Sequence, residues 1–315
     1  MPPKKLISIV TPCYNEEANV RRHFDEVCAA IAPLRERYDF EHIYTDNVSR
    51  DRTFELLSKI AAEHKNVRVM RFSRNIGPNR AVAMGISQAK GDATIVIQAD
   101  LQDPPELIPD FIKGWEEGYD VVYGSIIKRE ESALMQAVRR LYYKIIAALS
   151  DVPPPANAGD YRLVSRRVLD ALKHYHEDDL YFRGAVSHVG YPQKPLPFVR
   201  RARAGGETSQ GFIAYVAFSI NAMLSGTGVA PIRAVVVAGL LIALLGFAGT
   251  AFLIVNKLVH PDSAPHGITT LGALITFFAG AQLLAIGVIG EYIRKIYVQS
   301  LNRPRGFIAD RVNLE

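Results

Sequence analysis

From residue 5 to about 125, short β-branched runs alternate with amphipathic stretches. The runs Leu6–Val10, His42–Thr45, Val67–Phe72, Ala93–Gln98 and Asp120–Tyr123 read as strands, and the stretches near 16–32, 51–63, 78–89 and 105–117 carry helical spacing. This alternation predicts an α/β fold: a doubly wound, mainly parallel, Rossmann-like sheet with helices on both faces. Ligands of such sheets sit beyond the carboxyl ends of the strands. The polar segments PCYNEE, DNVSRD, SRNIG and QADLQD each follow a predicted strand.

The pattern then changes. Residues 131–149 form an amphipathic helix that DVPPPANAGDYR breaks, and 209–224 are apolar and aromatic with almost no charge. That second stretch is either a helix lying in a membrane interface or a packed core helix. Ala234–Val255 is a run of 22 uncharged residues and Ile268–Gly290 a run of 23. Each exceeds the roughly 18–20 residues that cross a bilayer core, so two transmembrane helices are expected, at about 234–256 and 268–290. The expected division is a catalytic domain over 1–208, an interfacial segment over 209–230, and two spans with a basic tail over 231–315.

Charge orients the spans. Arg200, Arg201, Arg203 and Arg233 precede the first, Arg294, Lys295, Arg303, Arg305 and Arg311 follow the second, and the only lysine or arginine between is Lys257. Basic flanks stay in the cytoplasm, which predicts a multi-pass protein of the cell (inner) membrane with the catalytic domain and both termini cytoplasmic. The first apolar run is too short for a signal-peptide core. The net charge of +5 and pI near 9.1 fit a protein lying against anionic lipid; no nucleic-acid module is present, so nucleic acid is not an expected partner. Cys13 and Cys28 alone make neither a disulfide framework nor a zinc set.

The candidate chemistry lies after the strands. In QADLQDPPE, Gln98, Asp100 and Gln102 converge only if the backbone stays extended beyond the strand. One carboxylate with amide oxygens suits Mg²⁺ or Mn²⁺ shared with substrate phosphates. The other reading is an Asx turn in which Asp103 caps a helix opened by Pro104-Pro105, and the two are compatible. In TPCYNEE, Tyr14 offers a flat face for a base and Asn15, Glu16 and Glu17 offer acceptors. Alternatively Asn15 is an N-cap with the glutamates in the first helical turn. Asp46 is an acceptor at a strand end or the cap of the helix opening near Asp51.

Taken in order, P-x-Y-N-E, an Asp-containing turn, S-R-N-x-G and D-L-Q-D-P-P-E resemble the inverting GT-A glycosyltransferases, and among them the polyprenyl-phosphate hexose synthases (dolichol-phosphate mannose synthase and the bactoprenol glucosyltransferases). The likeness continues through RRLYYKI, AGDYRLVSRRV, YFRG and R-x-x-R-x-x-G-E-T at Arg200–Thr208, and into the two apolar runs. It implies transfer of a hexose from a nucleotide sugar, a UDP-sugar rather than GDP-mannose on the D-N-x-S turn, to polyprenyl phosphate with inversion. It implies donor contacts from Pro12, Tyr14, Glu16, Asp46, Asn75, Arg80, Ala99 and Arg203. The cation, Mg²⁺ or Mn²⁺, falls to Asp100, Gln102 and Gln98, the last standing where the family has an aspartate. Asp160, as base or orienting group, with Arg139 and Arg162 occupies the reaction centre. Arg140, Arg183 and Arg200 fall on the acceptor phosphate, since guanidinium groups grip phosphates bidentately.

The chain departs from the family pattern at Ser209, where a lysine is usual, and at Val48, where a glycine is usual; where Lys or His follows the family's S-R-N-x-G segment this chain has Pro78-Asn79-Arg80, and Arg80 is the expected replacement cation. A processive polysaccharide synthase would carry more spans and a Q-x-x-R-W motif, whereas the single tryptophan here is Trp115. A non-catalytic, nucleotide-sugar-binding membrane scaffold draws its support from Gln98 and Ser209. Gly246, Gly249, Gly272, Gly280, Gly287 and Gly290 permit close helix approach, so a homo-oligomer is a further expectation.

Overall fold

The structure is a computed structural model describing residues 3–128, 155, 158–175, 182–201, 230–259 and 267–314. The helix expected at 131–149 and the apolar segment at 209–224 lie outside the described residues.

The first half of the chain folds as β1 (Lys5–Cys13), α1 (Val20–Ile31), β2 (Tyr38–Asp46), α2 (Thr53–Glu63), β3 (Val67–Phe72), α3 (Pro78–Ser87), β4 (Ala93–Val96), α4 (Ile108–Glu116) and β5 (Val121–Lys128). It continues as β6 (Ala158–Ser165), α5 (Arg166–Leu172), α6 (Phe182–Val189), β7 (Gln193–Val199), α7 (Ala230–Val259), α8 (Gly267–Ser300) and β8 (Ile308–Val312). The eight strands form one sheet in the order β7-β5-β6-β4-β1-β2-β3-β8. The pairs β1–β2, β1–β4, β2–β3 and β5–β7 are parallel; β3–β8, β4–β6 and β5–β6 are antiparallel. The expected α/β sheet is therefore present, mainly parallel but mixed.

Strands covered on both faces are apolar almost throughout, and β1 shows why. Ile7 and Ile9 point into a cluster with Val27 and Ile31 of α1 and Phe111 of α4, while Val10 points the other way, toward Ala81 of α3. Each such fully buried side chain contributes roughly 2 kcal/mol. On the α3 face the approach is close: a Cβ on Gly85 would meet Val10 Cγ1 at 2.5 Å and Thr45 Cγ2 at 3.0 Å. At the amino ends of the strands, Glu41 accepts hydrogen bonds from Ser8 (2.5 Å), Arg68 (2.7 Å) and the Lys90 amide (2.7 Å), so a buried carboxylate is fully engaged there.

The long helices lie in a different unit. The chain divides into two compact units: the described residues up to Arg201 belong to the first, α7 and α8 to the second, and Arg303–Glu315 again to the first. The tail expected only to be basic thus carries an eighth strand. Along α7 and α8 large apolar side chains face outward, Leu245, Phe252, Leu258, Leu283 and Ile286 among them. Among the described residues one helical segment, Phe277–Ser300, is long and apolar enough to cross a membrane.

Beneath α1 lies a pair of buried histidines. His42 Nε2 is 2.9 Å from Thr11 Oγ1, and His23 Nδ1 is 3.3 Å from the Tyr44 hydroxyl. Burial lowers the His23 pKa to about 4; burial, and then the neighbouring His23, pushes His42 well down. A histidine held neutral in this way contributes stability above its ordinary value of 6.5, lost as pH falls through the folded value. His23→Leu removes the titration together with Nε2, which has no hydrogen-bond partner among the described residues. Thermal melts from pH 7 to 4 are expected to show the native chain losing stability relative to His23→Leu; parallel curves would exclude His23 as the titrating group.

Candidate active site

Because β1, β2 and β4 are parallel neighbours, their carboxyl ends open on one rim. Cys13 pairs with Asp46, and Val10 with Val96. The polar segments that follow are laced together there. Asn15, at φ +55, donates its backbone amide to the Ser49 hydroxyl oxygen (3.0 Å), and its side-chain oxygen accepts from the Arg50 amide (2.8 Å). The Glu16 amide donates to Thr53 (2.8 Å), and Asn19 donates to the Glu16 carboxylate (2.7 Å). These turns delay α1 to Val20, so Asn15 joins two loops and is not the helix cap.

Asp46 is fully buried. Both its oxygens face the Ser49 amide (3.3 and 3.4 Å), Arg71 lies 3.3 Å away, and burial raises its pKa. Val48, next but one, has φ +62. The turn keeps the left-handed backbone that a glycine would adopt freely, at a cost of order 1–3 kcal/mol for a β-branched residue. Asn75, exposed at the exit of β3, accepts from Asn47 Nδ2 and from the Gly77 amide (both 3.0 Å), and Asn47 in turn accepts from the Ile76 amide (2.8 Å). Arg80 is half-buried in the first turn of α3, Tyr14 is half-buried, and Pro12 and Ala99 are buried. Seven of the expected donor residues, Pro12, Tyr14, Glu16, Asp46, Asn75, Arg80 and Ala99, thus lie at the strand exits on one rim. Glu16 and Asp46 are turned into the protein, while Asn75 is open.

The QADLQD segment departs from expectation. β4 ends at Val96, the chain turns at Ala99-Asp100, and Leu101 takes φ +58. The extended backbone that would align Gln98, Asp100 and Gln102 is absent. Instead Asp100 Oδ1 accepts from the Gln102 amide at 3.1 Å, and the Gln102 carbonyl accepts from the Arg201 amide at 3.0 Å. Asp103 makes no cap, since the 3₁₀ turn at Pro105–Leu107 has no side-chain cap. It is buried, 3.3 Å from the guanidinium of Arg200. The Asx turn belongs to Asp100 rather than to Asp103.

β6 supplies the facing wall. Tyr161 points into the core, its hydroxyl donating to the Pro104 carbonyl at 3.1 Å. Asp160 and Arg162 therefore fall on the opposite face of the strand. Arg183 of α6 grips Asp160 bidentately, Nε to Oδ1 at 2.6 Å and Nη2 to Oδ2 at 2.9 Å. Arg162 Nη2 donates to the Gly159 carbonyl at 2.7 Å, and its guanidinium lies over Phe182. Desolvation pushes the Asp160 carboxyl up, but Arg183, Arg162 and Arg200 outweigh it and hold the pKa at about 2. Asp103 goes the other way, to about 6, with burial the largest cause and Asp100 and Asp160 adding to it against Arg200 and Arg183. The result is a compact group of three carboxylates and three arginines: Asp100, Asp103 and Asp160 with Arg162, Arg183 and Arg200. Arg139, Arg140 and Arg203 lie outside the described residues.

No three of His, Cys, Asp or Glu converge as a metal cage among the described residues. Asp100, a single carboxylate whose neighbours Asp103 and Asp160 are committed to arginines, fits a hard cation that brings phosphate ligands with it, but not one held by protein alone.

The family description Glycosyl transferase family 2 matches residues 8–173. An uncharacterized glycosyltransferase of Synechocystis sp. is 34% identical over 98% of this chain and 96% of its own length. The uncharacterized glycosyltransferase YkcC of Bacillus subtilis is 33% identical over 98% and 94%. The bactoprenol glucosyl transferase of Shigella phage SfV is 32% identical over 96% and 97%.

A raised carboxyl contributes stability that is complete below its ordinary value of 3.8 and is lost as pH rises through the folded value near 6. The difference in melting temperature between the native chain and Asp103→Asn is therefore expected to move against the native chain from pH 4 to 6, and a flat difference would place Asp103 outside this charge balance.

Proposed function

The chain belongs to glycosyl transferase family 2, and from that premise we propose that it transfers a hexose from a UDP-sugar to polyprenyl phosphate, with inversion at the anomeric carbon. The relative from phage SfV, a bactoprenol glucosyl transferase matched over 97% of its length, supports the lipid acceptor. The observation that carries the chemistry is the state of Asp160. A carboxylate gripped by Arg183 and held near pKa 2 is a weak general base. An acceptor phosphate is already ionised and needs little base; a sugar hydroxyl would need one. Asp160 then acts as an orienting group that fixes the arginines.

In this reading the nucleotide lies along the rim formed by Pro12, Tyr14, Glu16, Asp46, Asn75, Arg80 and Ala99, with Arg203 added from the 202–208 segment. Asp100 would hold Mg²⁺ or Mn²⁺, with Gln102 and Gln98 flanking it in sequence, and the bound cation would supply positive charge to the departing nucleoside diphosphate. Arg162 and Arg139 stabilise charge at the reaction centre, and Arg140, Arg183 and Arg200 bind the acceptor phosphate.

A bilayer-soluble acceptor calls for a membrane-held enzyme, and we read residues 1–208 as the catalytic part, 209–230 as interfacial, and α7 and α8 as two spans. Outward-facing apolar side chains on both helices support this. So does the route of the chain, which leaves the first unit and returns to it at Arg303. A return to the same side of a membrane takes an even number of crossings, which two helices supply and one does not. Both ends then face the cytoplasm of the inner membrane. Helix association through the small residues of α7 and α8 would give a homo-oligomer.

The assay offers purified protein in detergent a panel of labelled UDP- and GDP-sugars with Mg²⁺ or Mn²⁺ and polyprenyl phosphate. Organic-extractable label from a UDP-hexose, dependent on the lipid phosphate, is expected. Label from GDP-mannose alone would reassign the donor, and binding of a donor with no transfer from any would return the scaffold reading. Asp100→Asn is expected to lower transfer at least 100-fold, on the order of 3 kcal/mol in the barrier, with membrane insertion unchanged; near-normal activity would remove Asp100 from the cation site. For topology, a tag inserted within 260–266 is expected to be reached from outside intact cells, and one placed after residue 314 only after permeabilisation. Equal access to both would refute the two-span arrangement.

A further inference from the structure

The edge strand next to β3 comes from the far end of the chain, after both long helices. β8 pairs antiparallel with β3, Phe72 opposite Ile308 and Val69 opposite Val312. Both ends of this return segment are fastened. At one end the Phe307 carbonyl accepts from the Ser73 amide at 2.9 Å. At the other, Asn313, at φ +55, donates to the carbonyls of Ala61 (2.6 Å) and Val67 (2.8 Å). Ile308 and Leu314 pack against the cluster that contains Val10, Ile43, Phe72 and Ile76.

The fastening falls on the loop that carries Asn75. Residues 73–77 are held on one side by Asn47, through its bonds to Asn75 and to the Ile76 amide, and on the other by the return segment. Gly306 sits directly on Ile76: a Cβ there would lie 3.0 Å from Ile76 Cδ1 and 3.2 Å from Cγ2, so Ile76 would have to shift by a few tenths of an ångström. Ile76 is buried and adjacent in sequence to Asn75, so its displacement is passed to the side chain at the rim. A strand serving only to cover a sheet edge needs no such contact with the loop beyond the end of its partner.

We propose that residues 303–314 are a positioning element of the donor site, with Gly306 setting Ile76 and through it Asn75. This rests on the reading of Asn75 as a donor contact. It also makes the donor site depend on chain that follows the two long helices and is covalently continuous with α8 through Leu301 and Asn302.

The test is UDP binding to the full-length protein in detergent with Mg²⁺, by titration calorimetry, alongside steady-state transfer kinetics. A native chain that binds no UDP and no UDP-sugar overturns the donor reading itself. Where it binds, Gly306→Ala is expected to weaken UDP by about three- to tenfold, with the donor KM rising in step and the acceptor KM and kcat within about twofold. Ile76→Val, which removes Cδ1, restores affinity when combined with Gly306→Ala. Unchanged affinity in Gly306→Ala, loss spread equally over donor, acceptor and kcat, or loss that Ile76→Val does not restore overturns the positioning role. Asn313→Ala, which loosens the other end without touching the loop, is the second variant: a donor-selective loss supports the proposal, and donor affinity equal to the native chain's counts against it.

Discussion

The parallel pairing of β1 with both β2 and β4 is the constraint on which the rest depends. Strands that run the same way end on the same rim, so the segments after Cys13, Asp46 and Val96 must meet. Once they meet, their backbone amides need acceptors away from water. Asn15, Ser49, Thr53 and Asn47 are spent largely on that task. The rim is therefore a preformed lattice of short loops, and the side chains left open on it, Asn75 for one, are those available to a ligand.

Charge is the second determinant. Three carboxylates close together are stable only with cations among them. The arginines come from β6, α6 and the residue after β7, far along the chain from Asp100 and Asp103. Their distribution divides the acids: Asp160 is held ionised, Asp103 is buried and pushed toward neutrality, and Asp100 is placed at a turn with its backbone beside it. Under the proposed function, Asp100 is the carboxylate left for a cation. The same balance makes Asp160 unsuited to removing a proton and suited to an acceptor that arrives without one.

Much of this was legible in the sequence. The five early strands are visible in their β-branched runs, and the polar segments follow them at the strand ends where parallel sheets bind ligands. The misses have particular causes. Asn15 and the glutamates look like a helix opening, but Asn15 has the left-handed backbone of a loop junction and α1 begins only at Val20. Asp103 before two prolines reads locally as a cap, and only Arg200, 97 positions on, gives it another partner. β6 carries near its start the polar motif G-D-Y-R, which does not look like a strand, and β7 is interrupted by prolines at 195 and 197. β8, Ile-Ala-Asp-Arg-Val, is short and half polar, as an edge strand is, and periodicity alone does not distinguish it from a charged tail.

By itself the sequence determined the period of each early element, the polar character of each strand exit, the long apolar runs, and an ordered series of motifs that places the chain among glycosyltransferases. Those properties are local, set by side chains within a few positions of one another. Only the tertiary structure decided which carboxylate stands beside which arginine, that the backbone after β4 turns instead of extending, and that the last strand closes the sheet beside β3. These depend on loop closure across 23 to more than 200 residues, where the pairing that wins is the one that leaves the fewest buried polar groups unsatisfied, and nothing within a local window records it.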